Sequence, residues 1–76
     1  MRITKVINIT KFLQEIDSCK GKVEIISEYG DRLNLKSKLT QFVAISEIFN
    51  NKEILKKIEL IVYNLEDEKK IKKYIE

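Results

Sequence analysis

The sequence predicts a small α+β fold in which four antiparallel strands carry helices on one face. Segments in which apolar residues alternate with polar ones are interleaved with segments of helical periodicity, a pattern typical of this class. Both glycines, at positions 21 and 30, fall between such segments. At 76 residues, a chain buries about 60% of its unfolded surface, enough for one core. We therefore expect a single domain over residues 1–76.

The first part of the chain predicts a strand and then a helix. Residues 1–7 mix β-branched and charged side chains without proline or glycine, as strands do. Asn8 or Thr10 can cap the helix that follows, and Gly21 predicts its end. The apolar stripe of this helix consists of Phe12, Leu13, Ile16 and Cys19.

A β-hairpin is predicted next. Val23 and Ile25 lie two residues apart in a second strand, and residues 28–31 have the composition of a turn. Leu33 and Leu35 then alternate with polar residues in a third strand, which we expect at an edge of the sheet. One face of this hairpin should contact water.

The second half predicts two further helices around a fourth strand. Ser37 can cap a helix that ends near Asn50 and Asn51. Residues 52–57 fit either an additional helical turn or a loop. One face of the second helix should pack through Leu39, Phe42, Val43 and Phe49. The fourth strand contains the alternating apolar residues Ile58, Leu60 and Val62. The last helix is anchored by Ile71, Tyr74 and Ile75.

Two compact folds share the first six elements of this order: the open-faced β-sandwich of HPr proteins and the ferredoxin-like split βαβ arrangement. Periodicity leaves the strand order open. The sequence Leu33-Asn34-Leu35-Lys36-Ser37 resembles the third strand and helix start of the HPr phosphocarrier family. The wider match runs from Val23 to Ser37, with weaker similarity over residues 12–14 and 58–68. The resemblance implies an HPr-like open-faced β-sandwich with the order strand, helix, strand, strand, helix, strand, helix.

The chemistry that the resemblance implies is incomplete. HPr proteins relay phosphoryl groups through a histidine in the loop between the first strand and the first helix. This chain contains no histidine, and residues 7–10 occupy the corresponding loop. Hydroxyl and lysine side chains are poor substitutes for imidazole as a reversible nucleophile near neutral pH. We therefore expect an HPr-like protein of the sugar phosphotransferase system without phosphocarrier activity.

Ser37 is the candidate regulatory site. In the family, the serine at this position is phosphorylated by an ATP-dependent kinase, and the resemblance implies a regulatory, protein-binding role with HPr kinase or a transcriptional regulator as partner. The partner surface would comprise Lys36, Lys38, Leu39 and Phe42. Helix capping alone also explains a serine here. The family usually has an apolar residue where Lys38 stands, and residues 45–57 are longer than the family pattern.

A second function hypothesis comes from the net charge of +3 and the lysine-rich segments 52–57 and 69–73. Such segments can attract nucleic-acid phosphates, which would make the chain a small basic ferredoxin-like domain. They are more often solvated helix faces, and no strand interleaves aromatic with basic residues. Nucleic acid is thus the less favoured partner.

Other functions lack the necessary residues. One cysteine and no histidine cannot form a His/Cys metal site, and two glycines form no phosphate-binding loop, so we expect no enzyme, metal or cofactor. The longest apolar run, residues 60–63, is too short for a membrane span, so we expect a cytoplasmic protein. We expect a monomer, or a weak homodimer if the edge strand with Leu33 and Leu35 pairs with a second copy. Cys19 is expected to face the core; a thiol activated by Lys20 and Lys22 is the alternative.

Overall fold

The computed structural model describes residues 1–76 and confirms the predicted α+β class. Four α-helices and three strands alternate along the chain, and a single 3₁₀ turn follows the last helix. In chain order the elements are α1 (Ile9–Ser18), β1 (Val23–Ile26), β2 (Arg32–Asn34), α2 (Lys38–Glu47), α3 (Lys52–Leu55), β3 (Glu59–Val62), α4 (Leu65–Ile71) and a 3₁₀ turn (Lys72–Tyr74). The longest helices have ten residues, and no helix combines the length and apolar character that crossing a bilayer requires.

The three strands form one antiparallel sheet in the order β2-β1-β3. Ile25, at the centre of the sheet, lies opposite Leu33 on one side and Leu60 on the other. Because side chains alternate between the faces of a strand, Val23 and Ile25 enter the core while Glu24 points to the opposite face. The prediction that β2 lies at a sheet edge is confirmed.

The prediction of a first strand is wrong, and the sheet has three strands instead of four. Residues 1–7 form no strand and contribute only an isolated bridge between Val6 and Ile75. Their buried positions, Ile3 and Val6, are three residues apart, which does not fit the period of two of a strand. Met1 exchanges hydrogen bonds with Leu60 of β3, whereas the backbone of residues 4–7 pairs with Tyr74 and Glu76. A complete four-stranded sheet of either the HPr-like or the ferredoxin-like type is therefore absent.

Polar side chains cap each α-helix. Asn8 accepts the Lys11 N–H at 3.0 Å, which confirms the first of the two predicted caps of α1. Asn51 caps α3 by accepting two backbone N–H groups, so residues 52–57 begin with a short helix rather than a loop. Asn64 caps α4 by accepting the Asp67 N–H at 3.1 Å. Each cap satisfies an N–H group that has no partner within its helix.

One core of 16 buried residues joins the helices to one face of the sheet. Phe12 of α1 is fully buried and meets Phe49 edge to face, with ring centroids 5.5 Å apart and an interplanar angle of 84°. Ile71 anchors the last helix as predicted, while Tyr74 and Ile75 pack partly buried beside it. The opposite face of the sheet carries polar groups, among them Glu24 and Asn34.

Candidate functional site

Ser37 caps α2, as the sequence predicts. Its hydroxyl oxygen accepts the Thr40 N–H at 3.4 Å, and its own N–H donates to the Asn34 carbonyl at 3.1 Å. The Asn34 side chain accepts the Lys36 N–H at 3.0 Å. These bonds make a tight connection from β2 into α2. The hydroxyl of Ser37 therefore stands at the start of a ten-residue helix in a half-buried position.

The two lysines that flank Ser37 are both held by groups at the end of α1. The Lys36 ammonium donates to the Cys19 carbonyl at 2.6 Å, and the Lys38 ammonium pairs with the Asp17 carboxylate. Hydrogen bonds from Lys38 and Gln41 lower the pKa of Asp17. A phosphate on Ser37 would therefore compete with Asp17 for Lys38.

The buried side of α2 is not the predicted one. Gln41 and Ala44 face the interior, and the Gln41 amide donates to the Leu35 carbonyl at 3.0 Å and to the Asp17 carboxylate at 2.7 Å. These bonds fix the rotation of the helix. Among the residues predicted to share a packing face, Phe49 is buried just beyond the helix, while the helical members lie on the exposed side. They are Leu39, Phe42 and Val43.

These three exposed residues form one apolar surface, which we call the α2 strip. Leu39 is 75% exposed and Phe42 is 68% exposed. Positions three and four apart on a helix are neighbours, so Leu39 lies beside both Phe42 and Val43. Large apolar side chains clustered in water mark interaction surfaces more often than single exposed ones do. Two of the predicted partner-surface residues, Leu39 and Phe42, thus come together on α2.

A cleft of about 360 Å³ lies at the end of the sheet, beside the connection between α1 and β1. It has no hydrophobic lining residue, and three lysines of its wall, Lys20, Lys22 and Lys36, make no ion pair with a carboxylate. The remaining walls are formed by Gly21, Glu24 and Asn34. We call this feature the basic cleft.

Glu24 in the basic cleft belongs to a polar cluster on the open face of the sheet. Its Oε1 atom accepts a hydrogen bond from the Tyr63 hydroxyl and another from the Arg32 guanidinium at 3.2 Å. The Tyr63 bond lowers the pKa of Glu24 and raises the pKa of Tyr63 itself. The carboxylate therefore pairs directly with Arg32, while the charge of Lys22 acts on it without forming an ion pair.

Asp67 of α4 holds the backbone of the basic cleft in place. Its carboxylate accepts the Gly21 N–H at 2.9 Å and the Lys20 N–H at 3.1 Å. Hydrogen bonding, from Gly21 above all, lowers the pKa of Asp67 although the side chain is only 1% exposed. No local pattern links residue 67 to residues 20 and 21, so the sequence alone does not reveal this contact. The two backbone amides anchor the cleft wall to α4.

No protein-family model, curated protein or solved structure matches this chain. The resemblance to HPr proteins stays a prediction from the residues between Val23 and Ser37.

Cys19 does not have the surroundings of a reactive thiol. It is 5% exposed at the end of α1, and its thiol donates to the Glu15 carbonyl at 3.3 Å. Burial raises the pKa of Cys19, and the negative charge of Asp67 raises it further. Since the thiolate is the nucleophile, Lys20 and Lys22 do not activate this residue. The prediction of a core-facing cysteine is confirmed, and the alternative is wrong.

Metal-binding residues do not cluster anywhere in the chain. No three side chains among the cysteine, aspartate and glutamate residues lie close enough to hold an ion together. The acidic residues that the structure brings close to positive groups are instead engaged in hydrogen bonds, as Asp17 and Asp67 are.

Proposed function

We propose that the chain is a protein-binding regulatory domain related to HPr proteins, and that it docks through the α2 strip. One observation carries the proposal: Leu39 and Phe42 are largely exposed on a helix whose other side is firmly held by Gln41 and Ala44. Packing does not require the two side chains to be apolar. A role in binding accounts for them.

The chemistry of the α2 strip indicates what kind of partner it fits. Lys38 stands beside Leu39 at the start of the helix, and its side chain is 76% exposed. Protein interfaces combine a buried apolar centre with a polar rim. A complementary partner would present an apolar pocket bordered by carboxylates. HPr kinase and a transcriptional regulator are the partners that the resemblance implies.

Phosphorylation of Ser37 would regulate this docking. A phosphoryl group brings about two negative charges at neutral pH and would stand against the N–H groups at the start of α2. It would also draw Lys38 away from Asp17, to which the ammonium is now bonded. The charge beside Leu39 would therefore change from positive to negative. A partner would distinguish the two forms by this change.

The first experiment tests the modification. The purified protein is incubated with HPr kinase and ATP, and any phosphate is located by mass spectrometry. We expect one acid-stable phosphate on Ser37 and none in a Ser37→Ala variant. Phosphate that remains in Ser37→Ala, or that is absent from the native chain, removes Ser37 from the proposal.

The second experiment tests the docking surface independently of phosphorylation. Unlabelled HPr kinase is titrated into the ¹⁵N-labelled chain, and binding is compared in Phe42→Gln and Tyr29→Gln variants. Tyr29 is the matched control because it is an exposed aromatic residue at the hairpin turn, outside α2. We expect the largest shifts along α2 and at least about tenfold weaker binding for Phe42→Gln alone, the loss typical of an interface anchor. Equal effects of both variants contradict docking through the α2 strip.

Nucleic-acid binding is the second candidate, and one observation favours it. Tyr63 is 55% exposed and lies beside Arg32 on the open face of the sheet. Proteins that bind single-stranded RNA use aromatic and basic side chains of this kind to contact bases and phosphates. The Glu24 carboxylate bonded to both residues opposes it, because it repels phosphates. A gel-shift titration with a single-stranded oligonucleotide at low and moderate salt distinguishes the two candidates.

A further inference from the structure

The basic cleft has a set of unused hydrogen-bonding groups that is independent of the α2 strip. Lys20, Lys22 and Lys36 contribute three positive charges, and Glu24 contributes one negative charge that Arg32 already balances. Lys36 is held in place by the Cys19 carbonyl, a neutral acceptor that uses one of its three N–H donors. The Asp67 carboxylate beside Lys20 and Gly21 offsets part of this charge, so the lysine end of the cleft keeps a smaller net positive charge. It is suited to an anionic group.

The opposite end of the cleft carries one donor and one acceptor without a partner. Asn34 uses its side-chain oxygen to accept the Lys36 N–H, which leaves its NH₂ group free. Glu24 uses Oε1 for both of its hydrogen bonds, which leaves Oε2 free. Glu24 and Asn34 lie directly opposite each other in the sheet register. The pair is arranged to bind a group that both donates and accepts, as a hydroxyl does.

We propose that the basic cleft binds a small phosphorylated molecule that bears hydroxyl groups, of the sugar-phosphate class. The phosphate would contact Lys20, Lys22 and Lys36, and the hydroxyls would contact Asn34 and Glu24. A volume of about 360 Å³ accommodates a molecule of this size, since small-molecule sites begin at about 300 Å³. The cleft lacks an aromatic or aliphatic wall, so a nucleobase would find no surface to stack on.

Gly21 and Asp67 hold the cleft in this form without a ligand. The carboxylate of Asp67 fixes the N–H groups of Lys20 and Gly21, which sets the course of the backbone between two of the lysines. A binding site whose backbone is already positioned loses less entropy when its ligand binds. The site therefore needs only side-chain adjustment of Lys20 and Lys22.

Chemical-shift titration of the ¹⁵N-labelled chain tests the proposal with three probes: glucose 6-phosphate, glucose and inorganic phosphate. We expect glucose 6-phosphate to bind most tightly, inorganic phosphate to bind more weakly, and glucose to cause no shifts. The shifts should be confined to residues 20–24 and 34–36. Equal binding of inorganic phosphate and glucose 6-phosphate overturns the assignment of a hydroxyl subsite.

Three variants sharpen the test. Lys22→Gln should weaken glucose 6-phosphate about fivefold, the effect of one partly exposed ionic contact. Glu24→Gln should weaken glucose 6-phosphate and strengthen inorganic phosphate, because it removes an acceptor and a negative charge together. Lys73→Gln is the control, since Lys73 is exposed, makes no ion pair and lies outside the cleft. Each variant is first checked for a native spectrum, and Lys20→Gln replaces Lys22→Gln if the latter does not fold.

Two results would overturn the proposal. Equal weakening by Lys73→Gln and Lys22→Gln would show that the lysines act only through net charge. A single-stranded oligonucleotide that binds more tightly than glucose 6-phosphate, with shifts over residues 52–57 and 69–73, would show that the positive surface serves nucleic acid. Chemical shifts confined to the cleft, together with unchanged binding of glucose 6-phosphate in Lys73→Gln, support a sugar-phosphate site.

Discussion

The carboxylate of Asp67 accepts the backbone N–H of Gly21 at 2.9 Å, across 46 positions of sequence. The bond joins α4 to the connection between α1 and β1. Two lysines of the basic cleft, Lys20 and Lys22, lie on either side of Gly21. This contact therefore links the packing of the core to the shape of the candidate ligand site. It also makes the stability of the fold depend on the charge of Asp67.

We expect the free energy of unfolding to fall in acid partly through Asp67. Hydrogen bonding lowers the pKa of this carboxyl in the folded chain below the value of about 3.9 found in unfolded chains. Its contribution is therefore present above the unfolded pKa and is lost as the pH falls through the folded pKa. Urea unfolding followed from about pH 2 to about pH 7 measures the effect.

The matched variants for this prediction are Asp67→Asn and Glu66→Gln. Glu66 is the adjacent exposed acid and makes no hydrogen bond through its side chain. Asp67→Asn should be less stable near neutral pH and should lose less stability in acid than the native chain. Glu66→Gln should follow the native profile. An unchanged pH profile in Asp67→Asn would contradict the role of this carboxylate.

The two glycines should resist substitution for different reasons. A Cβ atom at Gly21 would lie 3.2 Å from the Cβ of Asn64, whereas one at Gly30 would meet nothing within 4 Å. Gly30 instead has a φ of 87°, in the left-handed region. Gly30→Ala should cost about 1–2 kcal/mol through backbone strain, whereas Gly21→Ala should cost less, because Asn64 has to shift by only a few tenths of an ångström.

Asparagine separates the two causes, because it tolerates left-handed φ better than alanine does. Gly30→Asn should be more stable than Gly30→Ala in urea unfolding, while Gly21→Asn should be no better than Gly21→Ala. If the order of stability is reversed at either glycine, the cause given for the loss of stability at that position is wrong.

The parts of the fold that the sequence predicts correctly depend on neighbouring residues. The alternation of Val23 and Ile25 predicts a strand, Asn8 and Ser37 predict helix starts, and Gly30 predicts a turn, and all are present. In each case the physical cause lies within a few positions of the residue itself. Local patterns are sufficient for such features.

The wrong predictions concern features that distant residues determine. Residues 1–7 look like a strand, but apart from the contact of Met1 with Leu60 their backbone partners are Tyr74 and Glu76. The exposed side of α2 follows from bonds between Gln41 and the Leu35 carbonyl and Asp17 carboxylate. The basic cleft exists because sheet register brings residues near 22 and 36 together. A helical pattern in which both sides carry apolar residues cannot indicate which side is buried.

Two phenylalanines should separate packing from docking. Phe12 is fully buried against Phe49, so Phe12→Ala should cost about 3–5 kcal/mol. That loss is comparable to the whole stability of a domain of this size, so the variant should be largely unfolded. Phe42→Ala should change stability by less than about 0.5 kcal/mol because the ring is exposed. Circular dichroism during urea unfolding measures both; a large loss in Phe42→Ala would assign the α2 strip to the fold.

The thiol of Cys19 should react slowly in the folded chain. Burial and the charge of Asp67 raise its pKa, so the thiolate is disfavoured at pH values where an ordinary cysteine begins to ionise. Its side chain is also hidden at the end of α1, so a reagent must wait for local opening. Reaction with a disulfide reagent near pH 8, close to the ordinary thiol pKa, should be at least about tenfold slower in the native chain than in urea.

The control is the double variant Ser18→Cys/Cys19→Ser, which moves the thiol by one position to an exposed site beside the same lysines. This variant should react at nearly the unfolded rate, because the neighbouring charges are retained and the burial is removed. If native Cys19 reacts as fast as the control, burial does not govern the reactivity of the thiol, and activation by Lys20 and Lys22 explains it instead.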